Sequence, residues 1–323
     1  MTRFLFSLSL ILGGISLGYA IQRVAQRRLA AGSLDNARAM LQKVVMLGLT
    51  APISISAIWI VRIPNRSLWL LPLLDVFGIL IGGGLALLAA SAFNMPPKQA
   101  GALFTCGAFT NIGSIGGLVA FVFLDERAFA LMMIYTLLQP LTYNMISFPI
   151  AKSYGLRGAA QTAATRSLAQ LMRDPFILIP FFSACVGGVL NLSGLPRPAA
   201  LGTLNAFMIP GTTFLLLVSI GMALRFSRVK AHLRECAVIA GIKFVCVPLC
   251  VSLCAFWLGY RAIDGGLPMK VILIVSSMPV AFNALIASSI YHLDLDVANS
   301  CFLFTTGGLL VTLPTLSALM HLI

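Results

Sequence analysis

The sequence predicts an all-α protein that crosses a membrane many times, and three observations carry that expectation. Of its 323 residues, 59% are hydrophobic and only 10% charged, which is more apolar surface than a water-soluble core can hide. The apolar residues run in stretches of about 20, the length that spans the hydrocarbon of a bilayer as a helix. The Lys and Arg residues gather in the short segments between those stretches, as topology-setting charges do.

Taken in order, the stretches predict spans near 4–22, 41–61, 68–91, 99–123, 128–150, 175–193, 200–224, 235–259, 267–292 and 297–321, ten in all. The first begins after Arg3 and imitates a secretory signal. Arg23, Arg27 and Arg28 follow it at once, however, and the heavier positive flank after the segment favours a retained span. If the connecting segments alternate sides, 15 of the 22 Lys and Arg fall on one side. The positive-inside rule then places the chain in the cell membrane with both termini outside and the long linker in the cytoplasm.

That linker divides the chain into 1–151, a cytoplasmic segment 152–174, and 175–323. The halves correspond in order: Pro52 in the second span matches Pro210 in the seventh, and an interrupted fourth span matches an interrupted ninth. Asp174-Pro175 opens the second half with an acidic cap and a proline at the first helical position. Five is odd, so the second set of spans enters from the opposite side. The expectation is a 5+5 inverted-topology repeat whose two broken helices, spans four and nine, cross near the midplane.

The breaks are the most informative local features. Residues 105–119 hold Gly107, Asn111, Gly113, Gly116 and Gly117 inside an apolar stretch, and 276–283 read Ser-Ser-Met-Pro-Val-Ala-Phe-Asn. Non-helical backbone at membrane depth is tolerated only where protein or a ligand site satisfies it. Each break also presents the N-terminus of a following half-helix, with unpaired N–H groups and partial positive charge, and two such ends suit an anion. Asn111 and Asn283 can add neutral donors for a carboxylate without burying another full charge. The plainer reading of both is that they satisfy backbone freed by their neighbours.

The ten spans, the Asn111-Ile-Gly113-Ser-Ile-Gly116 element, and Met278-Pro279-Val-Ala-Phe-Asn283 followed by Tyr291-His-Leu-Asp294 resemble the auxin efflux carrier family of permeases. That family includes plant auxin exporters and bacterial malate or malonate carriers. The resemblance extends over essentially the whole chain, through Leu313-Pro314. It implies the crossover fold shared with bile-acid sodium symporters, a scaffold and a transport bundle, Asn111 and Gly113 at one break, and Pro279 and Asn283 at the other. It also implies a homodimer through the scaffold helices. Many members carry proline shortly after the fourth-span Gly pair, where this chain has Leu118.

Four further groups bear on chemistry. Asp75 is the one acid clearly inside a span, where an ionisable group costs on the order of 2.5–3.5 kcal/mol. It reads as a proton or cation site, as the partner of Lys43, Arg62 or Lys243, or as a residue reaching an outer vestibule. Lys243 lies about two turns inside the eighth span, either snorkelling to the interface or serving a substrate charge or ion pair. Gln139, Tyr143 and Asn144 form a polar stripe beside Pro140, which serves interhelical hydrogen bonding or lines the site. Asp125-Glu126-Arg127 and Asp294-Leu-Asp296 read as solvated turns.

Several classes are disfavoured. The formal net charge of +13 sits in the segments between spans, so nucleic acid is not the expected partner. Seven cysteines without Cys-x-x-Cys give neither a disulfide framework nor a metal site, and Cys246, Cys250 and Cys254 read as packing on one helix face. No phosphate loop or metalloprotease motif is present, so no cofactor and no enzymatic activity are expected. The expected activity is alternating-access transport of a small organic anion, with H+ or Na+ as candidate coupling ions. The competing readings are a sodium-coupled symporter of the bile-acid type, distinguished by sodium dependence, and a membrane sensor, which usually carries a soluble output domain.

Overall fold

The computed structural model describes residues 2–28, 33–61, 66–156, 175–224 and 229–320. All regular elements among them are helical, apart from one isolated two-residue antiparallel bridge, Thr110 to Val280. In chain order the helices are α1 Thr2–Arg28, α2 Ser33–Lys43, α3 Thr50–Trp59, α4 Leu71–Ala92, α5 Pro97–Ala108, α6 Gly117–Phe123, α7 Glu126–Tyr135, α8 Gln139–Thr142 and α9 Phe148–Leu156. The second half adds α10 Pro175–Leu192, α11 Ala199–Gly221, α12 Leu233–Gly241, α13 Val247–Trp257, α14 Leu267–Ser276, α15 Phe282–Ile290 and α16 Leu295–Leu319. Arg62, Asp174 and the linker beyond Leu156 lie outside the described residues.

Among the described residues, six helical segments are long and apolar enough to cross a membrane: Leu5–Gln26, Ser67–Ala92, Glu126–Leu156, Ala199–Gly221, Leu233–Trp257 and Leu295–Leu319. Thr50–Trp59, Ile112–Phe123 and Leu178–Leu192 are shorter apolar helices. The two stretches rich in Gly, Asn, Ser and Pro are interrupted: α5 ends at Ala108 before a π-helical turn over Ile112–Gly116, and α14 ends five residues before α15 starts.

The chain forms two compact units, each drawing segments from both halves of the sequence. The first comprises Met1–Pro64, Gly113–Ile134 and Arg173–Leu224. Within it, α1 lies against α11 at glycines: Gly18 and Gly221 bring the two backbones so close that a Cβ on either would strike the other helix. Asn191 of α10 reaches the end of α3, its Nδ2 donating to the carbonyls of Trp59 at 2.7 Å and Val61 at 2.6 Å. This satisfies acceptors that a helix end leaves orphaned.

One expectation changes in this unit. Asp125 and Arg127 form the exposed pair predicted for a turn, at 3.0 Å, but Glu126 does not face solvent. It holds Arg197 bidentately, one contact at 2.9 Å, and accepts from Asn205 Nδ2. Arg197 also donates to the Ser56 carbonyl at 3.1 Å. The partners are 71 and 79 residues away in sequence, so nothing local signalled the network.

The second unit comprises Asn65–Ile112, Tyr135–Met172 and Arg225–Ile323. Helices α4 and α5 meet at Gly82 and Gly107, each occupying the space the other's side chain would need. At one end, Asp294 caps α16 by accepting from Asp296 N and Val297 N, both at 3.1 Å, and accepts from Gln99 Nε2 at 3.3 Å. Asp294 is therefore a helix cap rather than the solvated turn residue its sequence suggests.

Candidate functional site

The site forms in the second unit, where the two interruptions meet. Phe109 at the end of α5 and Ala281 before α15 both have extended backbone, with φ/ψ of −87°/119° and −78°/153°. Two hydrogen bonds join the segments: Asn111 N donates to Pro279 O at 2.9 Å, and Ala281 N donates to Phe109 O at 3.0 Å. Thr110 and Val280 face each other between these bonds, so their own N–H groups point away from the bridge. Each finds a hydroxyl: Thr110 N donates to Tyr143 OH at 3.3 Å, and Val280 N donates to Thr305 Oγ1 at 3.2 Å. Backbone freed in an apolar interior is thereby paired, as it must be. Pro279 contributes by having no N–H to orphan.

Within this arrangement Asn111 is 5% exposed, and its Nδ2 has no hydrogen-bond partner among the described residues. A buried primary amide without an acceptor costs about 1–3 kcal/mol, so the backbone-satisfying reading does not explain this side chain. Gly113, two residues on, is exposed, and a Cβ there would meet nothing within 4 Å. Asn283 is half-buried near the start of α15. Pro279 is buried.

A second cluster adjoins the first break. Lys243 sits in a π-helical turn over Ile242–Cys246, is 0% exposed, and donates from Nζ to Thr110 Oγ1 at 2.6 Å. It does not snorkel: its ammonium ends on a hydroxyl inside the protein. Asp75 is 2% exposed, accepts from Gln139 Nε2 at 3.4 Å on Oδ1, and leaves Oδ2 buried without a partner. The vestibule reading of Asp75 is therefore replaced by a buried one. Of the other bases considered for it, Lys43 is exposed.

Gln139 and Tyr143 come from one helix face, and Tyr135, four residues earlier, completes the same stripe at 1% exposure, with its hydroxyl beside Gly78. Phe109 packs edge-on to Tyr143 at 4.5 Å, which holds the phenol toward Thr110. Asn144 is spent locally, its Nδ2 donating to Pro140 O at 2.8 Å. Tyr135 and Thr110 lie outside the expected site residues, and Thr305, one of the Thr305-Thr306 pair that the family resemblance includes in the tenth span, carries no expected role there. The i, i+4, i+8 spacing of Tyr135, Gln139 and Tyr143 is a usable signal for the first, whereas a threonine in an apolar run carries none of its own. Cys106, Cys236 and Cys301 are buried and free, the other cysteines are free too, and no metal-binding cluster occurs among the described residues.

Over 151 residues the chain is 26% identical to an uncharacterized transporter of Methanothermobacter thermautotrophicus, a match covering 47% of this chain and 48% of that protein. The chain thus spans about half the length of the curated relative it matches. No family model matches the chain. Several helices long and apolar enough to cross a membrane, together with similarity over about half the chain to a protein named a transporter, fit a multi-pass membrane protein.

Proposed function

We propose that the chain is a secondary transporter of small organic anions, in particular carboxylates, of the auxin efflux carrier type. In this reading ten spans form a 5+5 inverted repeat, the two broken helices cross at Thr110 and Val280, and both termini lie outside the cell membrane. One bundle shifts against the other to expose the crossing to each side in turn. The observation that carries the reading is the buried, unpartnered amide of Asn111 beside a backbone bridge joining two broken membrane helices. A buried amide donor, next in the chain to a threonine that holds a buried cation, suits a carboxylate. The composition of each compact unit, assembled from pieces of both halves, supports the repeat. The protein is not an enzyme in this account.

Asp75 favours coupling of this transport to a cation. Its unpartnered Oδ2 is an acceptor that a proton or sodium ion would satisfy. The test is a thermal-shift and calorimetric screen of purified protein against mono- and dicarboxylates, with and without sodium and across pH, since a ligand that binds the folded state raises its stability. At least one carboxylate is expected to bind, and Asn111→Ala to weaken it by about 1.5–3 kcal/mol, roughly 10- to 150-fold. Absence of binding by every acid, or unchanged affinity in the variant, would refute the reading. Sodium-dependent binding lost in Asp75→Asn would assign the coupling ion.

A further inference from the structure

Resting on that reading, we infer that Thr110 is the positioning residue through which the buried Lys243 governs the anion site at Asn111. Phe109 is extended and Thr110 lies opposite Val280 in the bridge, with Asn111 N–H turned toward Pro279 and Thr110 N–H toward Tyr143; Ile112 N then donates to Thr110 O at 2.9 Å, a γ-turn centred on Asn111 that ends the extended stretch. Thr110 carries its hydroxyl to Lys243, and Asn111, the next residue, holds the unpartnered Nδ2. The two sites share no side chain. They share the Thr110–Asn111 peptide.

The direct hydrogen bond from Lys243 to that segment, among the described residues, goes to Thr110. Lys243 donates to its Oγ1 at 2.6 Å, and Tyr143, one turn from the Gln139 that holds Asp75, accepts from its N–H. Loss of the Lys243 donor frees the Thr110 side chain and with it the hold on the segment that carries Asn111. The second break has no such connection. Thr305 Oγ1, which accepts from Val280 N, donates its own proton to Cys301 O at 2.8 Å within its helix, and no charged side chain contacts it among the described residues. Control by charge thus enters from one break only.

The experiment is a double-mutant cycle on carboxylate affinity with Lys243→Met and Thr110→Val, the acid being the tightest binder of the wild-type protein. Lys243→Met is expected to weaken binding by about tenfold, the scale of a lost charged hydrogen bond, and to have no further effect in the Thr110→Val background. Thr110→Ser, which keeps the hydroxyl, should restore both wild-type affinity and sensitivity to Lys243→Met, and it covers the case in which Thr110→Val does not fold. Additive losses would mean that Lys243 acts on the ligand through space, and the inference would fall while the transporter reading stood. Wild-type protein that binds no carboxylate would end both.

Discussion

The two breaks are alike in backbone and unlike in surroundings. Each lends one donor and one acceptor to the bridge, and each has its outward N–H covered by a hydroxyl from a later helix, Tyr143 for the first and Thr305 for the second. Around the first break stand Lys243, Asp75, Gln139 and Tyr135. Around the second, Ser276, Ser277 and Thr305 turn back onto carbonyls of their own helices. Backbone geometry is therefore shared between the two breaks, while the charged side chains stand around the first.

The comparison breaks most visibly if the charges are removed. If the two buried charges compensate each other, Lys243→Met lowers unfolding stability by about 3–5 kcal/mol and Asp75→Asn on top recovers most of the loss. Denaturation of the single and double variants measures this. A double variant no more stable than Lys243→Met would show that the two groups are energetically separate.

A smaller effect tests the shared part. Tyr143→Phe and Thr305→Val each strip the acceptor from one buried N–H, so each is expected to cost about 1–3 kcal/mol, and by similar amounts. A loss confined to Tyr143→Phe would mean that the second break does not depend on its hydroxyl cap. The smallest effect belongs to Ser276→Ala. Its hydroxyl serves only Ile272 O at 2.7 Å and Leu273 O at 3.4 Å, and such back-bonds bring a helix little, so the expected change is about 1 kcal/mol or less. A larger loss, read from the same melts, would reveal a role for the second break that its hydrogen bonds do not show.

Much of this was legible in the chain itself. Composition and span length require helices in a bilayer, since apolar stretches of that length have no other place to be buried. Gly, Asn and Pro inside an apolar run mark where a helix must open, because backbone propensity acts locally. Asp75 and Lys243 stand out because a charge inside a span is costly wherever it points. What those charges touch was not legible. Whether Lys243 snorkels or turns inward depends on the π-helical turn that rotates it onto Thr110, 133 residues away in sequence. Glu126 reads as a turn residue until Arg197 is placed against it. Thr110 and Thr305 are ordinary threonines until the two breaks are paired. Burial and periodicity follow from each segment's own residues, whereas hydrogen-bond partners across a crossing exist only once distant segments have packed, and tertiary structure alone decides them.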